Sequence, residues 1–419
     1  MTLVRSLGIL GTTLGVSLAM GCSAPPSASW WKGNLHTHSL WSDGDDFPEM
    51  VVAWYRDGGY HFLALSDHNV LAEGERWIDA DRTGHEVLAR YRARFDPGWA
   101  DVRGAGDSLE IRLKTLEEFR PLFEEPGRFL LLRGEEITDR FETTPLHLNA
   151  TNLVAVIAPQ GGTSVLDVLQ NNVDAVLAQR RETGVAMFPH VNHPNYGWAV
   201  TAEDLIALDG EQFIEVYNGH PLVNNRGDAT HPDTDRLWDI VLAERLVRRA
   251  PVMYGIAVDD AHHYHGDGRR QANPGRGWIV VRAEVLTPSA IVTAMEAGDF
   301  YASTGVVLDD VLVENGRISL TIAAERDVTY RTQFIGTRRG YDAPMQPALT
   351  DSTAPLRFRY GDDIGAVLSE VEGTRPTYTF RGGELYVRAK VVSSRPKANP
   401  IVPGEVEVAW TQPVVVGGS

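Results

Sequence analysis

Cysteine is almost absent: Cys22 is the only one in 419 residues. An internal disulfide is therefore impossible within the chain, and a cysteine-rich structural zinc cage is excluded. Excess positive charge is missing too. Lys and Arg number 39 against 56 Asp and Glu, a formal net charge of −17. That balance repels polyphosphate backbones and argues against long DNA or RNA as a partner. Long apolar runs are scarce as well. Leu7 to Met20 is the longest, and its 14 residues fall short of a bilayer span.

That run has Arg5 before it and Leu18-Ala19-Met20-Gly21-Cys22 after it. Residues 1–21 read as a signal peptide. The five residues resemble a bacterial lipobox, which makes Cys22 the lipidated N-terminus and residues 22–29 a flexible tether. The expected location is extracytoplasmic, anchored at the bacterial cell envelope, with membrane contact only through the lipid on Cys22. The remainder is ordinary for a globular protein, 43% hydrophobic and 23% charged. Its length suits a barrel-sized domain with a smaller companion.

What is abundant is metal-ligand chemistry in short clusters. The first is His36-Thr37-His38 with Ser42-Asp43-Gly44, and the second is Ser66-Asp67-His68-Asn69. Glu136 and His147 follow, then His193-Pro194-Asn195, then Asp260-Ala261-His262. Imidazole and carboxylate suit zinc, manganese and iron. An HxH pair on a strand puts both rings on one face.

Strand-like apolar runs are expected at 31–36, 61–66, 129–137, 146–153, 185–191, 213–217 and 252–258. Helices are expected at 48–57, 164–183, 202–208, 233–246 and 288–297. Most ligand positions follow the C-terminal end of a strand. That placement favours a closed α/β barrel over an open sheet, because only a barrel brings so many strand ends to one mouth. Residues 70–126 interrupt the rhythm and read as an insertion, with a helix near 115–123. From residue 309 the texture turns β-rich, with a hairpin around Asn315-Gly316 and strands at 377–380, 385–392 and 406–410. Residues 309–419 are expected to form a small antiparallel β-sandwich.

These motifs, in this order and local spacing, resemble the PHP (polymerase and histidinol phosphatase) superfamily over roughly residues 31–305. The stretches Glu215–Pro221 and Val258–Tyr264 are similar to its carbaryl-hydrolase-like metallohydrolase branch. The resemblance implies a distorted (β/α)7 barrel over residues 30–308 holding up to three divalent metals. It implies that His36, His38, Glu136 and Asp260 hold one ion. Glu136 bridges to a second ion held by His147 and His193, and Asp43, His68 and His262 hold a third. Glu136 is preferred to Glu135, and Asp260 to Asp259, on the family's pattern.

Adjacent divalent ions acidify a bridging water and polarise the scissile oxygen. Hydrolysis is therefore the expected reaction, most simply of phosphoesters in small anionic substrates. Carbamate, ester or amide hydrolysis, 3′–5′ exonuclease-like cleavage of short oligonucleotides, and a metal-binding surface lipoprotein without turnover are the alternatives. Asp67 is expected to orient a ligand. His263 is the favoured proton donor to a leaving group, with His190 and His220 behind it, and Arg276, Arg269 or Arg270 is expected to clamp an anion.

Overall fold

The computed structural model describes residues 28–417 except 97, 267, 343–345 and 348–357. The expected signal peptide, Cys22 and most of the tether lie outside the described residues. Among the described residues no helix is long and apolar enough to cross a membrane.

The molecule is mixed α/β, built on one large sheet. Its first seven strands are β1 (Ser29–Asn34), β2 (Phe62–Leu65), β3 (Leu130–Phe141), β4 (Thr144–Thr151), β5 (Phe188–Val191), β6 (Phe213–Asn218) and β7 (Tyr254–Val258). They lie side by side in chain order. β1, β2 and β3 run parallel, as do β5, β6 and β7. Past their ends, β1 and β7 meet: Thr37 and Ala261 form a parallel bridge, His38 N donates to Ala261 O (2.9 Å), and Asp260 N donates to His36 O (3.0 Å). The row is thereby drawn into a ring at the end where the ligand clusters sit.

One strand departs from βα alternation. β4 is antiparallel to both β3 and β5. It returns directly from β3 through a turn in which Glu142 adopts φ 54°. So short a link permits only a hairpin, since parallel strands need a crossover of a dozen residues or more.

Strand alternation decides which side chains reach the interior. Phe62, Ala64, Leu130, Leu132, Phe188, Phe213 and Ile256 pack in one buried cluster. The same faces of β3, β5 and β6 carry, farther along, Glu136, His190 and Glu215. Helices cover the outside and start where their caps dictate. Ser164 accepts from Asp167 N ahead of Val165–Thr183, Asp233 from Arg236 N ahead of Thr234–Val247, and Thr287 from Ala290 N ahead of Pro288–Glu296. Thr115 and Glu118 form a capping box for Leu116–Phe123, inside the expected insertion. That insertion also holds a three-stranded sheet, Arg76–Asp79, Val102–Arg103 and Glu110–Leu113, which the sequence reading did not place.

Two further unplaced strands, β8 (Trp278–Ala283) and β9 (Phe300–Ser303), extend the main sheet on the far side of β1. β9 pairs with Val406–Thr411, so the β-rich C-terminal segment continues the same sheet through Glu384–Pro396, Tyr330–Arg338 and Ala366–Glu372. A second sheet, formed by Leu308–Glu314, Arg317–Ile322 and Thr377–Thr379, shares an apolar core with it that includes Ile318, Leu320, Phe334, Tyr378, Val387 and Val391. The hairpin turn falls at Asn315-Gly316, with φ 50° and 72°.

Candidate metal centre

Each ligand cluster is presented by a device visible in the backbone. His36 and His38 sit just past β1, two residues apart, and both are fully buried. The following loop folds back sharply: Ser42 N and Gly44 N both donate to Ser39 O (3.0 Å each). A Cβ at Gly44 would lie 2.7 Å from the His38 carbonyl, so this position requires glycine. Asp67 fastens the loop, accepting from Ser39 N (2.8 Å), Ser39 Oγ (2.7 Å) and Ser42 Oγ (2.6 Å). At the end of β7, Asp260 takes a left-handed conformation (φ 49°). The turn separates two adjacent carboxylates. Asp259 is spent on Tyr55 OH and on the backbone N–H groups of Gly275, Arg276 and Gly277, while Asp260 faces the histidines. Glu135 likewise accepts from Ile157 N (2.8 Å), leaving Glu136 to the interior.

The nine expected ligands converge. Glu136 Oε2 lies 3.4 Å from His36 Nε2 and 3.2 Å from His38 Nε2. Asp260 Oδ1 lies 3.2 Å from each of the same nitrogens. Tetrahedral coordination with bonds of roughly 2.0–2.1 Å gives ligand–ligand edges of about 3.3 Å. These four edges therefore fit a small divalent cation. His36 Nε2, His38 Nε2, Glu136 Oε2 and His147 Nδ1 are buried without a hydrogen-bond partner. Buried polar atoms are rarely left so, and a cation is the partner that imidazole and carboxylate lone pairs share.

Ligand atoms lying within 4.8 Å of one another form several groups. His38, Asp43, His68 and His262 form one, which brings the three residues expected at the third ion together with His38. His36, His38 and Glu136 form another, and Asp260 joins His36 and His193. The expected trio of Glu136, His147 and His193 does not appear as a group. Instead His147 gathers with Glu136 and His68, and His193 gathers with His36 and Asp260. Both histidines still reach the shared Glu136 Oε1, at 2.9 and 3.5 Å. The reason is positional: His147 projects from the antiparallel strand β4, whereas His193 follows β5 on the side of Asp260.

Charge in the cluster is strongly coupled. Burial alone would raise the Glu136 carboxyl, but the charges of His68, His36 and His147 hold it well below the usual carboxylate range. Asp260 behaves alike, under His36, His38 and His262. Burial works against a charged His68, yet Glu136 and Asp43 push it up to about 11. A cation binding here would compete with protons for the same lone pairs and release them.

A residue that sequence reasoning did not assign supports the cluster from behind. Glu215, fully buried on β6, accepts from His36 Nδ1 (2.7 Å), His193 N (2.7 Å) and Asn218 Nδ2 (2.8 Å). Burial opposes its charge, but His36 and hydrogen bonds from His190 and His36 bring it down to about 2. A carboxylate on Nδ1 fixes the tautomer that leaves the His36 Nε2 lone pair facing the cluster. His190 belongs to this support, 3.3 Å from Glu215 Oε1, and does not line the cavity. Glu215→Gln is expected to weaken cation binding about 10–100-fold. Competition against a chromophoric chelator measures it, and unchanged affinity refutes the role.

Above the ligands lies a cavity of about 300 Å³ lined by Asp43, His68, Glu136, His147, His193, Asp260 and His262, together with Tyr196, His220, Leu222 and His263. Two of its histidines have a defined tautomer. His220 Nδ1 accepts from Leu222 N (3.2 Å), and His263 Nδ1 accepts from Ala272 N (3.1 Å). A neutral ring in that state carries its proton on Nε2. Burial, opposed by Asp260, brings His220 down to about 4, so it is neutral at physiological pH.

Arg276 is not where an anion clamp needs it. It is fully buried, and its guanidinium donates to Gly219 O (2.9 Å), Gln271 O (2.6 Å), Gly268 O (3.1 Å), Asn399 O (3.3 Å) and Asn399 Oδ1 (3.1 Å). With its donors spent on loop carbonyls, it ties loops together instead of meeting substrate. Arg269 and Arg270 line a neighbouring cavity, not this one.

No family model matches the chain, and no curated protein matches it. Among solved structures, a two-domain protein from Bacteroides vulgatus containing a predicted PHP-like metal-dependent phosphoesterase aligns over 95% of this chain and 100% of its own. The identity is 16% and the TM-score 0.41. A protein from Bifidobacterium adolescentis described as a metal-dependent phosphoesterase aligns over 57% of this chain and 89% of its own, at 15% identity and a TM-score of 0.29.

Proposed function

We propose that this chain is a metal-dependent hydrolase of the PHP superfamily, of the carbaryl-hydrolase-like branch. Its activity is that of a phosphoesterase on small anionic molecules. One observation carries the reading: His36, His38, Glu136 and Asp260 converge at cation-binding distances around buried atoms that have no other partner. The ring of seven strands is read as a distorted barrel over residues 30–308, and residues 309–419 as a β-sandwich module. Residues 1–21 are read as a signal peptide and Cys22 as the lipid-bearing anchor at the cell envelope.

His36, His38, Glu136 and Asp260 would hold one cation, Glu136 with His147 and His193 a second, and Asp43, His68 and His262 a third. Bound divalent cations supply Lewis acidity, polarising the scissile oxygen and making water acidic enough to react near neutral pH. The chain's own groups do the rest. Glu136 and Asp260, held ionised, fix the spacing of the cluster. Asp67 positions His38 by holding its loop. The Nε2–H groups of His220 and His263 donate hydrogen bonds to substrate oxygens, that of His263 to the leaving-group oxygen.

A panel tests the reaction class. Cation-loaded protein is expected to hydrolyse p-nitrophenyl phosphate or its diester at least about tenfold faster, in kcat/KM, than an aryl acetate or aryl carbamate. Faster carbamate or acetate cleavage overturns the phosphoester assignment. Bound metal with no turnover of any ester makes the chain a metal-binding lipoprotein.

A further inference from the structure

Beside the metal cavity lies a second one, open and of about 990 Å³, lined by Pro221, Leu222, Arg269, Arg270, Ile401 and Val402 among others. The two share walls. Leu222 lines both, and His220 and His263 on the metal side belong to the same two loops as Pro221 and Arg269 on the other.

The walls come from distant parts of the chain, and Arg276 holds them in place. Its guanidinium joins Gly219, at the root of the first loop, to Gly268 and Gln271 in the second and to Asn399, two residues before Ile401. Asn399 Nδ2 donates back to Pro274 O (3.3 Å). The C-terminal segment is thereby fixed as a wall of this cavity.

The chemistry of the lining is specific. Leu222 is 62% exposed and Val402 37% exposed, and together with Pro221 and Ile401 they make an apolar surface. Arg269 and Arg270 are exposed, and among the described residues neither guanidinium has a hydrogen bond or ion pair. In a chain with a net charge of −17, most described arginines have such partners, as Arg112 has Asp101 and Glu118. Two adjacent guanidiniums without a partner among the described residues present forked donors that match a carboxylate or phosphate.

We propose that this second cavity receives the part of the substrate remote from the scissile bond, and that this part joins an apolar body to a second anionic group. The inference rests on the metal-cluster reading above. The apolar body lies on Leu222, Ile401 and Val402, and Arg269 and Arg270 take the anion. The C-terminal segment thus selects substrate without contributing a metal ligand.

Calorimetry on the cation-loaded full chain tests this with two hydrolysis-resistant probes, 4-carboxybenzylphosphonate and 4-methylbenzylphosphonate. The carboxylate probe is expected to bind about tenfold or more tightly, the scale of one charge-assisted hydrogen-bonded contact. Arg269→Ala/Arg270→Ala is expected to bring the ratio to about one, and Leu222→Asp to weaken both probes. Equal affinities in the unmodified chain, a preference that survives the double substitution, or binding of neither probe overturns the inference. Failure of the metal reading shows separately: elemental analysis then finds no cation on the chain, whereas failure of this inference alone leaves the cations bound and the two affinities equal.

Discussion

Glu136→Gln is expected to abolish hydrolysis while leaving the protein folded. The carboxylate sits where every part of the cluster meets. Oε2 faces His36, His38 and His68, and Oε1 faces His147 and His193. Glutamine keeps the size and the 2.8 Å contact with Asn192 Nδ2, provided its oxygen takes the Oε1 position. It then presents an amide NH₂ to imidazole nitrogens that need a shared anion. Losing a supporter of a ligand costs about 10–100-fold, so losing a shared ligand is expected to cost on the order of 1,000-fold or more in kcat/KM. His36→Ala should do the same by a different route, since it removes one ligand and leaves Glu215 facing an empty space. Elemental analysis should show fewer cations per chain in both variants, and circular dichroism should show an unchanged fold. Turnover within tenfold of the unmodified protein, with full metal content, sinks the assignment of this cluster as the reaction centre.

The cluster was legible in the sequence because its signals are local. His36 and His38 share a face by alternation, and Asp260 and His262 lie together in the turn just past β7. All seven strands around it were legible as apolar runs. Their directions were not fully so, although the short stretch between the runs at 129–137 and 146–153 already excluded a parallel crossover. Glu215 escaped because its partners are tertiary: His36 lies 179 residues away. The available signal was a carboxylate in the middle of an apolar strand, since a buried charge needs a partner. Arg276 misled for the opposite reason. A basic residue in a glycine-rich loop looks solvent-facing until loops 57 and 123 residues away supply the carbonyls that absorb it. β8 was missed although Trp278-Ile279-Val280-Val281 is a β-branched run of the expected kind.

The largest expected effect on stability lies outside the candidate metal centre, where helix Thr234–Val247 meets strand Glu384–Pro396. Arg388 is fully buried there. Its Nε and Nη2 donate to the two oxygens of Asp239 (2.8 and 2.7 Å), Nη2 lies 3.1 Å from Asp235 Oδ1, and the guanidinium stacks 4.6 Å from the Trp238 ring. Tyr386 OH also donates to Asp239 Oδ1 (2.7 Å). Burial disfavours the arginine's charge, but Asp239 and Asp235 outweigh it and raise its pKa. Arg388→Ala removes the cation and leaves a buried carboxylate with only a phenol for a partner. Breaking a buried pair from one side costs about 3–5 kcal/mol, and thermal and urea unfolding should show a loss of that size. Removing both charges should cost less, because an apolar pair of similar volume needs no desolvation. Arg388→Met/Asp239→Leu is therefore expected to recover more than half of the loss. If the single substitution costs under about 1 kcal/mol, or the double one costs the sum of its parts, the pair does not fasten the C-terminal segment to the helix.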